Sequence, residues 1–395
     1  MKTVISLSHY RIITLVALIL LSCGKKDNPP SPPVNPPVTK KFYNWNEFVM
    51  GVDLSYVNAV EDAGGTYKDS SAVKDPFLIF KNHGANTVRV RLWHNTSWQI
   101  PYNGGRQYSN LADVEKTIQR AKSAGMAVNL DFHYSDHWAD PGTQEIPAAW
   151  QGLGIDILKD SVYNYTLAVL NYLKSKNLVP EMVQIGNETN TGMLFPVGKV
   201  NGNSWTSFAT LLNSGIKAVR DFSAGSSIKP QIILHVAKLT DADWWAGNIT
   251  ANGVTDFDIL GISHYYVYST ITSMSAISPI IRNLKTKYNK KIMIVETAYP
   301  WTNTGADSYN NVISGSTGFS TYAVSKEGQL QFMKDLTQQV ISGGGSGIMY
   351  WEPAWITSSF KDQWGTGSSW ENNAFFDFNG NILAGMDYMT NEYQF

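Results

Sequence analysis

The chain of 395 residues holds a single cysteine, Cys23. One cysteine excludes an intramolecular disulfide framework and any cysteine-based metal site. Charge is scarce and balanced: 16% of residues are charged, with a formal net charge of -1. The composition therefore offers no basic surface for nucleic acid and no cationic face for an acidic membrane. No Gly-x-Gly-x-x-Gly follows the first apolar segment, which argues against a dinucleotide-binding fold. His83, His94 and His235 show no metal-ligand spacing and read as packed or solvated side chains. What the chain has instead is aromatic, with 13 Trp and 20 Tyr. In a protein this poor in charge, such rings serve either large cores or a surface that stacks on the apolar faces of sugars.

The first residues stand apart from the fold. Lys2 and Arg11 flank a charged start, and the stretch from Ile12 to Leu21 is almost wholly apolar but short for a bilayer span. The order of charge, apolar run and small residues over 1–22 is that of a secretory signal peptide. It ends in Leu20-Leu21-Ser22-Cys23-Gly24, similar to a bacterial lipoprotein box in which Cys23 becomes the lipidated first residue. Residues 23–40 read as a tether, since Pro29-Pro30-Ser31-Pro32-Pro33 and Pro36-Pro37 favour extended polyproline geometry. The expectation is an exported lipoprotein, anchored through Cys23 at the outer membrane or cell surface, with one folded domain over 41–395.

From residue 41 onward short apolar strands alternate with helix-length stretches. Strands are predicted at Phe48–Ser55, Asn86–Trp93, Ala127–Tyr134, Val179–Glu188, Pro230–Ala237, Asp258–Tyr265, Lys291–Tyr299 and Gly347–Trp355. Eight such units predict an α/β fold, a single-domain (β/α)8 TIM barrel. Helices are predicted at Leu111–Ser123, capped by Asn110, at Asp160–Ser175 and at Gly328–Ser342. Active sites of this fold lie on the loops after the strands. Those loops are long here and carry Trp98, Trp138, Trp150, Trp205, Trp301, Trp355, Trp364 and Trp370.

Alternation along the strands says which side chains face the barrel axis. Val88, Val90 and Leu92 share one face, and Arg89 and Arg91 the other. Asn129, Asp131 and His133 point inward, as do Gly51 and Asp53. Arg89 and Asp131 read first as a buried ion pair that orders the barrel. Arg91 and His133 lie nearer the strand ends and so nearer a site.

Two strands end in a glutamate. Met182-Val183-Gln184-Ile185-Gly186-Asn187-Glu188 is one, and Lys291-Ile292-Met293-Ile294-Val295-Glu296 the other. Charge burial is unfavourable enough to keep such residues out of a core unless they are paired or work. Two carboxylates facing one groove are the minimum equipment for cleaving a glycosidic bond. The bland alternative is a pair of buried structural acids.

The motifs narrow this further. Asn86-Thr87-Val88-Arg89-Val90-Arg91-Leu92-Trp93, Asp131-Phe132-His133-Tyr134-Ser135-Asp136-His137-Trp138-Ala139-Asp140-Pro141, Gln184-Ile185-Gly186-Asn187-Glu188, Glu296-Thr297-Ala298-Tyr299-Pro300-Trp301 and Tyr350-Trp351-Glu352-Pro353-Ala354-Trp355 resemble glycoside hydrolase family 53, the arabinogalactan endo-β-1,4-galactanases. The resemblance runs from Phe42 onward, and its closing segment is Trp370-Glu371-Asn372-Asn373-Ala374-Phe375-Phe376. It implies a retaining, endo-acting hydrolase of β-1,4-galactan, with Glu188 as acid/base and Glu296 as nucleophile. It implies that Asn187 bonds the sugar 2-hydroxyl and that Arg91 keeps Glu296 ionised. His133 and Tyr265 would orient sugar hydroxyls or the nucleophile. Trp351 would floor the subsite before the scissile bond, or alternatively pack the barrel rim. Asp136, Trp138 and Trp301 complete the expected substrate-binding set. No cofactor is required; a structural calcium ion, held by Asp362 and Glu371, is a further possibility that the family suggests. Tyr266 stands where the family usually has proline, so the loop after strand six is expected to differ. The expected partner is the polysaccharide, with no nucleic acid, and the protein is expected to be a monomer. The rival readings are another β-1,4-glycanase of the same clan, a mannanase or cellulase, and a surface galactan-binding lipoprotein without chemistry.

Overall fold

Runs of β-branched and apolar residues bounded by polar turns form eight parallel strands, which close into one barrel in the computed structural model. The structure describes residues 40–315, 319 and 321–395; the expected signal peptide over 1–22, Cys23 and nearly all of the expected tether over 23–40 lie outside the described residues. The barrel strands are β1 Val49–Asp53, β2 Thr87–Leu92, β3 Ala127–Phe132, β4 Met182–Ile185, β5 Gln231–Ala237, β6 Ile259–Ser263, β7 Lys291–Glu296 and β8 Gly347–Tyr350. Each pairs in parallel with its sequence neighbour, and β8 closes on β1. The expected (β/α)8 barrel is what forms, and each strand lies within the stretch predicted for it.

Helices α1 Val57–Asp62 and α2 Pro76–Asn82 follow β1. Then α3 Leu111–Ser123, α4 Ile155–Ser175, α5 Thr206–Ala224, α6 Ala242–Ala251, α7 Ile277–Tyr288 and α8 Lys326–Ser342 follow β2 to β7 in turn. Asn110 caps α3 as its sequence suggests, accepting the Asp113 amide hydrogen at 3.0 Å. Two helices start earlier than predicted. α8 begins at Lys326 because the Ser325 hydroxyl accepts the Gly328 amide at 3.0 Å. α4 begins at Ile155, directly after Gly154, with Asp156 in its first turn.

The outward faces of the strands, including Val88, Val90, Leu92 and Leu130, pack on the helices in one continuous core. The barrel interior is graded. Val49, Met182, Ile233, Ile259, Met293 and Met349 fill its N-terminal end as an apolar plug, with Trp45 beneath. Each such side chain contributes about 1.5–3 kcal/mol by burial. Gly51 makes room for this layer, since a Cβ there would meet Met349 Cγ at 2.5 Å. Above the plug the inward positions turn polar: Asp53, Arg89, Asp131, Gln184, His235 and Ser263.

One irregularity carries consequences for the site. Ile262 pairs with Ile294, but the next residue, Ser263, pairs with Glu296. Val295 is the extra residue of a bulge, and it joins Met293 in the interior plug. Strict alternation would then send Glu296 outward; the bulge turns it back toward the axis.

Candidate active site

Arg89 is the hub of the polar layer. It is 1% exposed, and its guanidinium makes four hydrogen bonds and a further ion-pair contact. Nε donates to Gln184 at 3.2 Å; Nη1 reaches Asp53 at 2.9 Å and Glu296 at 2.8 Å; Nη2 reaches Asp131 and Asn187, both at 2.8 Å. Register makes this possible, because Asp53 lies beside Arg89 on β1 and β2. Burial works against the guanidinium charge, but Asp131, Glu296 and Asp53 outweigh it and hold the arginine charged. The expected Arg89–Asp131 pair is present. The role given to Arg91 belongs to Arg89 instead. Arg91 turns away to Glu352 at 3.0 Å and lies between Tyr56, Trp93 and Trp138, 4.3–4.8 Å from each ring.

Glu188 and Glu296 share the C-terminal mouth of the barrel and are close enough for the charge of Glu296 to act on Glu188. Their surroundings differ. Glu296 is 6% exposed; burial raises its pKa, while Arg89 and the Tyr265 hydroxyl, which donates to Oε2 at 2.9 Å, pull it down. Glu188 has no arginine contact. Burial, then the charge of Glu296, pushes its carboxyl up to about 8. At neutral pH Glu188 therefore keeps its proton while Glu296, bound to Arg89, is the member of the pair that ionises. Glu188 also sits in the left-handed region at φ 47°, a strained conformation for a non-glycine residue.

An open cleft of about 670 Å³ lies over the two carboxyls. Trp351 forms its floor, edge to face with Trp370 at 4.6 Å and next to Trp138 at 5.9 Å. Trp364 and Tyr268, 47% and 51% exposed, stand on its rim. Asn187, Arg91, His133, Trp138, Tyr265 and Trp351 line the cleft as expected. His133 does so without a free ring nitrogen. Nδ1 accepts from Trp93 Nε1 at 3.1 Å and from the Ala139 amide at 3.3 Å, and Nε2 meets Asp131 at 3.1 Å. It orders the site and has no nitrogen left for a sugar.

Two expected residues lie elsewhere. Asp136 is not part of the cleft; Oδ2 accepts the Ala148 amide at 2.8 Å and Oδ1 faces His94 at 3.6 Å, so it fastens the loop after β3. Trp301 packs on Phe378 at 4.8 Å and donates to the Glu371 carbonyl at 3.0 Å, behind the cleft wall. Asp362, offered with Glu371 as a calcium ligand, is engaged with its own loop. Its Oδ1 accepts the amides of Trp364 and Gly365, both at 2.8 Å, and Tyr309 reaches both oxygens at 3.2 Å. Glu371 Oε2 and Asn311 Oδ1 are buried without partners, but among the described residues no three His, Cys, Asp or Glu gather as a ligand set.

Trp364 and Trp370 line the cleft from the tryptophan-bearing loops, and four further cleft residues have no role assigned from the sequence: Asp140, Lys238, Ser263 and Tyr268. Glu352, fully buried behind the cleft, is another. Glu352 showed the same signal as the two catalytic candidates, a glutamate directly after an apolar strand. His235, whose sequence context reads as packed or solvated, is fully buried and bonded to the backbone of Glu188.

An acid that holds its proton and a carboxylate bound to arginine, both at the mouth of an eight-stranded barrel floored with tryptophan, define a glycoside hydrolase. Comparison with known proteins makes this particular. The model of glycosyl hydrolase family 53 matches residues 49–389. An arabinogalactan endo-β-1,4-galactanase of Cellvibrio japonicus is 44% identical over 352 residues, 88% of this chain and 92% of that protein. The GH53 catalytic domain of Ignisphaera aggregans superposes with a TM-score of 0.80 at 33% identity, covering 91% of this chain and all of that one. A fungal β-1,4-galactanase structure gives 0.73 at 31% identity, covering 86% and 98%. The chain belongs to glycosyl hydrolase family 53 and is a glycosidase.

Proposed function

We propose that the protein is an endo-acting, retaining hydrolase of β-1,4-galactosidic bonds in the galactan side chains of pectin. The observation that carries the mechanism is the asymmetry of the two carboxyls. Glu296, gripped by Arg89 and Tyr265, attacks the anomeric carbon, while Glu188 gives its proton to the departing oxygen. When the glycosyl–Glu296 ester forms, the negative charge that raised Glu188 disappears. The pKa of Glu188 then falls, and it accepts a proton from the incoming water. Asn187 spends its oxygen on Arg89 and one amide hydrogen on the Ala139 carbonyl at 2.8 Å, leaving its other N–H for the sugar 2-hydroxyl. The family relationship supports the galactan substrate. The test is a panel of linear β-1,4-galactan, carboxymethylcellulose and β-mannan, followed by reducing ends and product size. Short galacto-oligosaccharides from galactan alone are expected. Cleavage of another glycan instead overturns the substrate, and binding to galactan without cleavage overturns the enzyme.

The further parts of the reading rest on residues 1–40 and on the late loops. Cys23 is lipidated, residues 23–40 hold the domain off the membrane, and the catalytic domain acts as a monomer at the cell surface. Cys23→Ser is expected to release the protein into the soluble fraction. Retention in the membrane fraction would remove the anchor from the account, and a dimer in sedimentation would remove the monomer. The reading also carries a structural calcium ion at the late loops, with Glu371, whose buried Oε2 has no hydrogen-bond partner, among its ligands. A melting temperature unmoved by chelator and by added calcium removes the ion.

A further inference from the structure

Tyr265 and Tyr266 follow β6 side by side and serve different partners. Tyr265 donates to Glu296 in the cleft. Tyr266 is buried, and its ring packs against Tyr299 at 4.8 Å and against Phe332 of α8 at 6.0 Å. Its hydroxyl donates to the Gly315 carbonyl at 2.6 Å. Gly315 belongs to the long loop between β7 and α8. Its own N–H donates to Asn303 Oδ1 at 2.9 Å, and its φ of 82° lies in the left-handed region that glycine adopts without strain. Just before it, Val312 and Ile313 form part of the cleft wall. That stretch is held from its other side as well. The Val312 amide donates to the Ser369 carbonyl at 3.0 Å, and Asn372 Nδ2 donates to the Ile313 carbonyl at 2.7 Å. Ile313 is buried, whereas Val312 is 60% exposed. Among the described residues no hydrogen bond joins 303–315 to Glu188 or Glu296.

We propose that Tyr266 is a positioning residue for substrate binding: its hydroxyl pins the loop after β7, so that Val312 and Ile313 stand as a fixed apolar wall against the longer galactan chains. The loop runs from the end of β7 to Lys326 with no helix or strand among its described residues, so its order has to come from bonds made to other segments. Ser369 and Asn372 supply them on one side of Ile313, and Tyr266 supplies one at Gly315 on the other. Val312 and Ile313 face the same cleft as Tyr309, Trp355 and Trp364, a surface suited to the apolar C–H faces of sugar rings. The wall and the chemistry are thus separate functions of neighbouring tyrosines, Tyr265 on the nucleophile and Tyr266 on the wall. The choice of polymer rests on the galactan reading; the clamp itself does not.

The test compares wild type with Tyr266→Phe, which keeps the ring against Tyr299 and Phe332 and removes only the hydroxyl. Hydrogen–deuterium exchange needs no substrate. The Val312 and Gly315 amides, both hydrogen-bonded in the structure, should exchange roughly fivefold faster in the variant, while the barrel strands keep their wild-type rates. Kinetics on short and long β-1,4-galacto-oligosaccharides and on galactan should show a KM penalty that grows with chain length, to roughly fivefold on the polymer, with kcat close to wild type. Unchanged exchange at Val312 and Gly315 overturns the clamp. Faster exchange with no KM penalty, or with the same penalty at every chain length, overturns the wall. An equal fall in kcat on all substrates would mean that the hydroxyl acts through Tyr265 and Glu296, and it overturns the proposal too. Failure of the galactan reading is seen separately, as wild-type protein that leaves galactan intact; the chain-length series of the glycan it does cleave then decides the wall.

Discussion

Replacing Glu188 by glutamine removes a titrating group while keeping its shape, and the stability of the fold should register the change as a function of pH. In the folded protein burial holds the Glu188 carboxyl at about 8, against an ordinary 4.5. The folded state therefore keeps a proton that the unfolded chain loses across this interval. A group with a raised folded pKa contributes fully at low pH, and its contribution is lost as pH climbs toward the folded value. Each pH unit of difference corresponds to about 1.4 kcal/mol, so the whole shift corresponds to nearly 5 kcal/mol. Glu188 opens onto the cleft and shares its titration with Glu296, and both reduce the effect; we expect roughly half, about 2–3 kcal/mol. Glu188→Gln and wild type should melt together near pH 5. Near pH 8.5 the variant should be the more stable, by about 3–4 °C for a domain of this size. Thermal melts of both proteins at the two pH values decide it. The same difference at both pH values would refute the buried, proton-holding glutamate on which the mechanism depends.

Glu296→Ala should lower kcat on galactan by on the order of 10⁴-fold or more while circular dichroism and galactan binding stay close to wild type. Glu188→Ala should spare aryl galactosides with good leaving groups far more than the polymer, as kinetics on both substrates would show. Arg89→Met strands three carboxylates in the barrel, and chemical denaturation should report a loss of about 3–5 kcal/mol together with loss of activity. Trp351→Ala should reduce kcat/KM on galactan roughly tenfold through lost ring stacking and leave the pH profile in place.

Much of this was legible from residue patterns. Valine-, isoleucine- and leucine-rich runs of strand length fixed all eight barrel strands, and alternation sent Arg89, Arg91, Asp131 and His133 inward. What alternation does not contain is depth and register. Arg89 and Arg91 share a face, and only the pairing of Asp53 with Arg89 shows which of them sits beneath Glu296. Nor does alternation contain the bulge at Val295, without which Glu296 would point at the helices. Asp136 and Trp301 belong to long loops, where the direction of a side chain depends on packing against distant segments such as Ala148 and Phe378. His235 carries no local signal, since its meaning comes from strands brought together. Glu352 did carry one, and its position after β8 identifies it as a third strand-end acid.

The central claim is that Glu296 forms a covalent bond to the sugar. Incubation with a 2-deoxy-2-fluoro-galactobiosyl fluoride slows the second step and lets the intermediate accumulate. Peptide mass spectrometry should then find the fluorosugar on the segment containing Glu296 and nowhere else. Label on a different residue, or prompt turnover with inverted product and no label, would contradict the account.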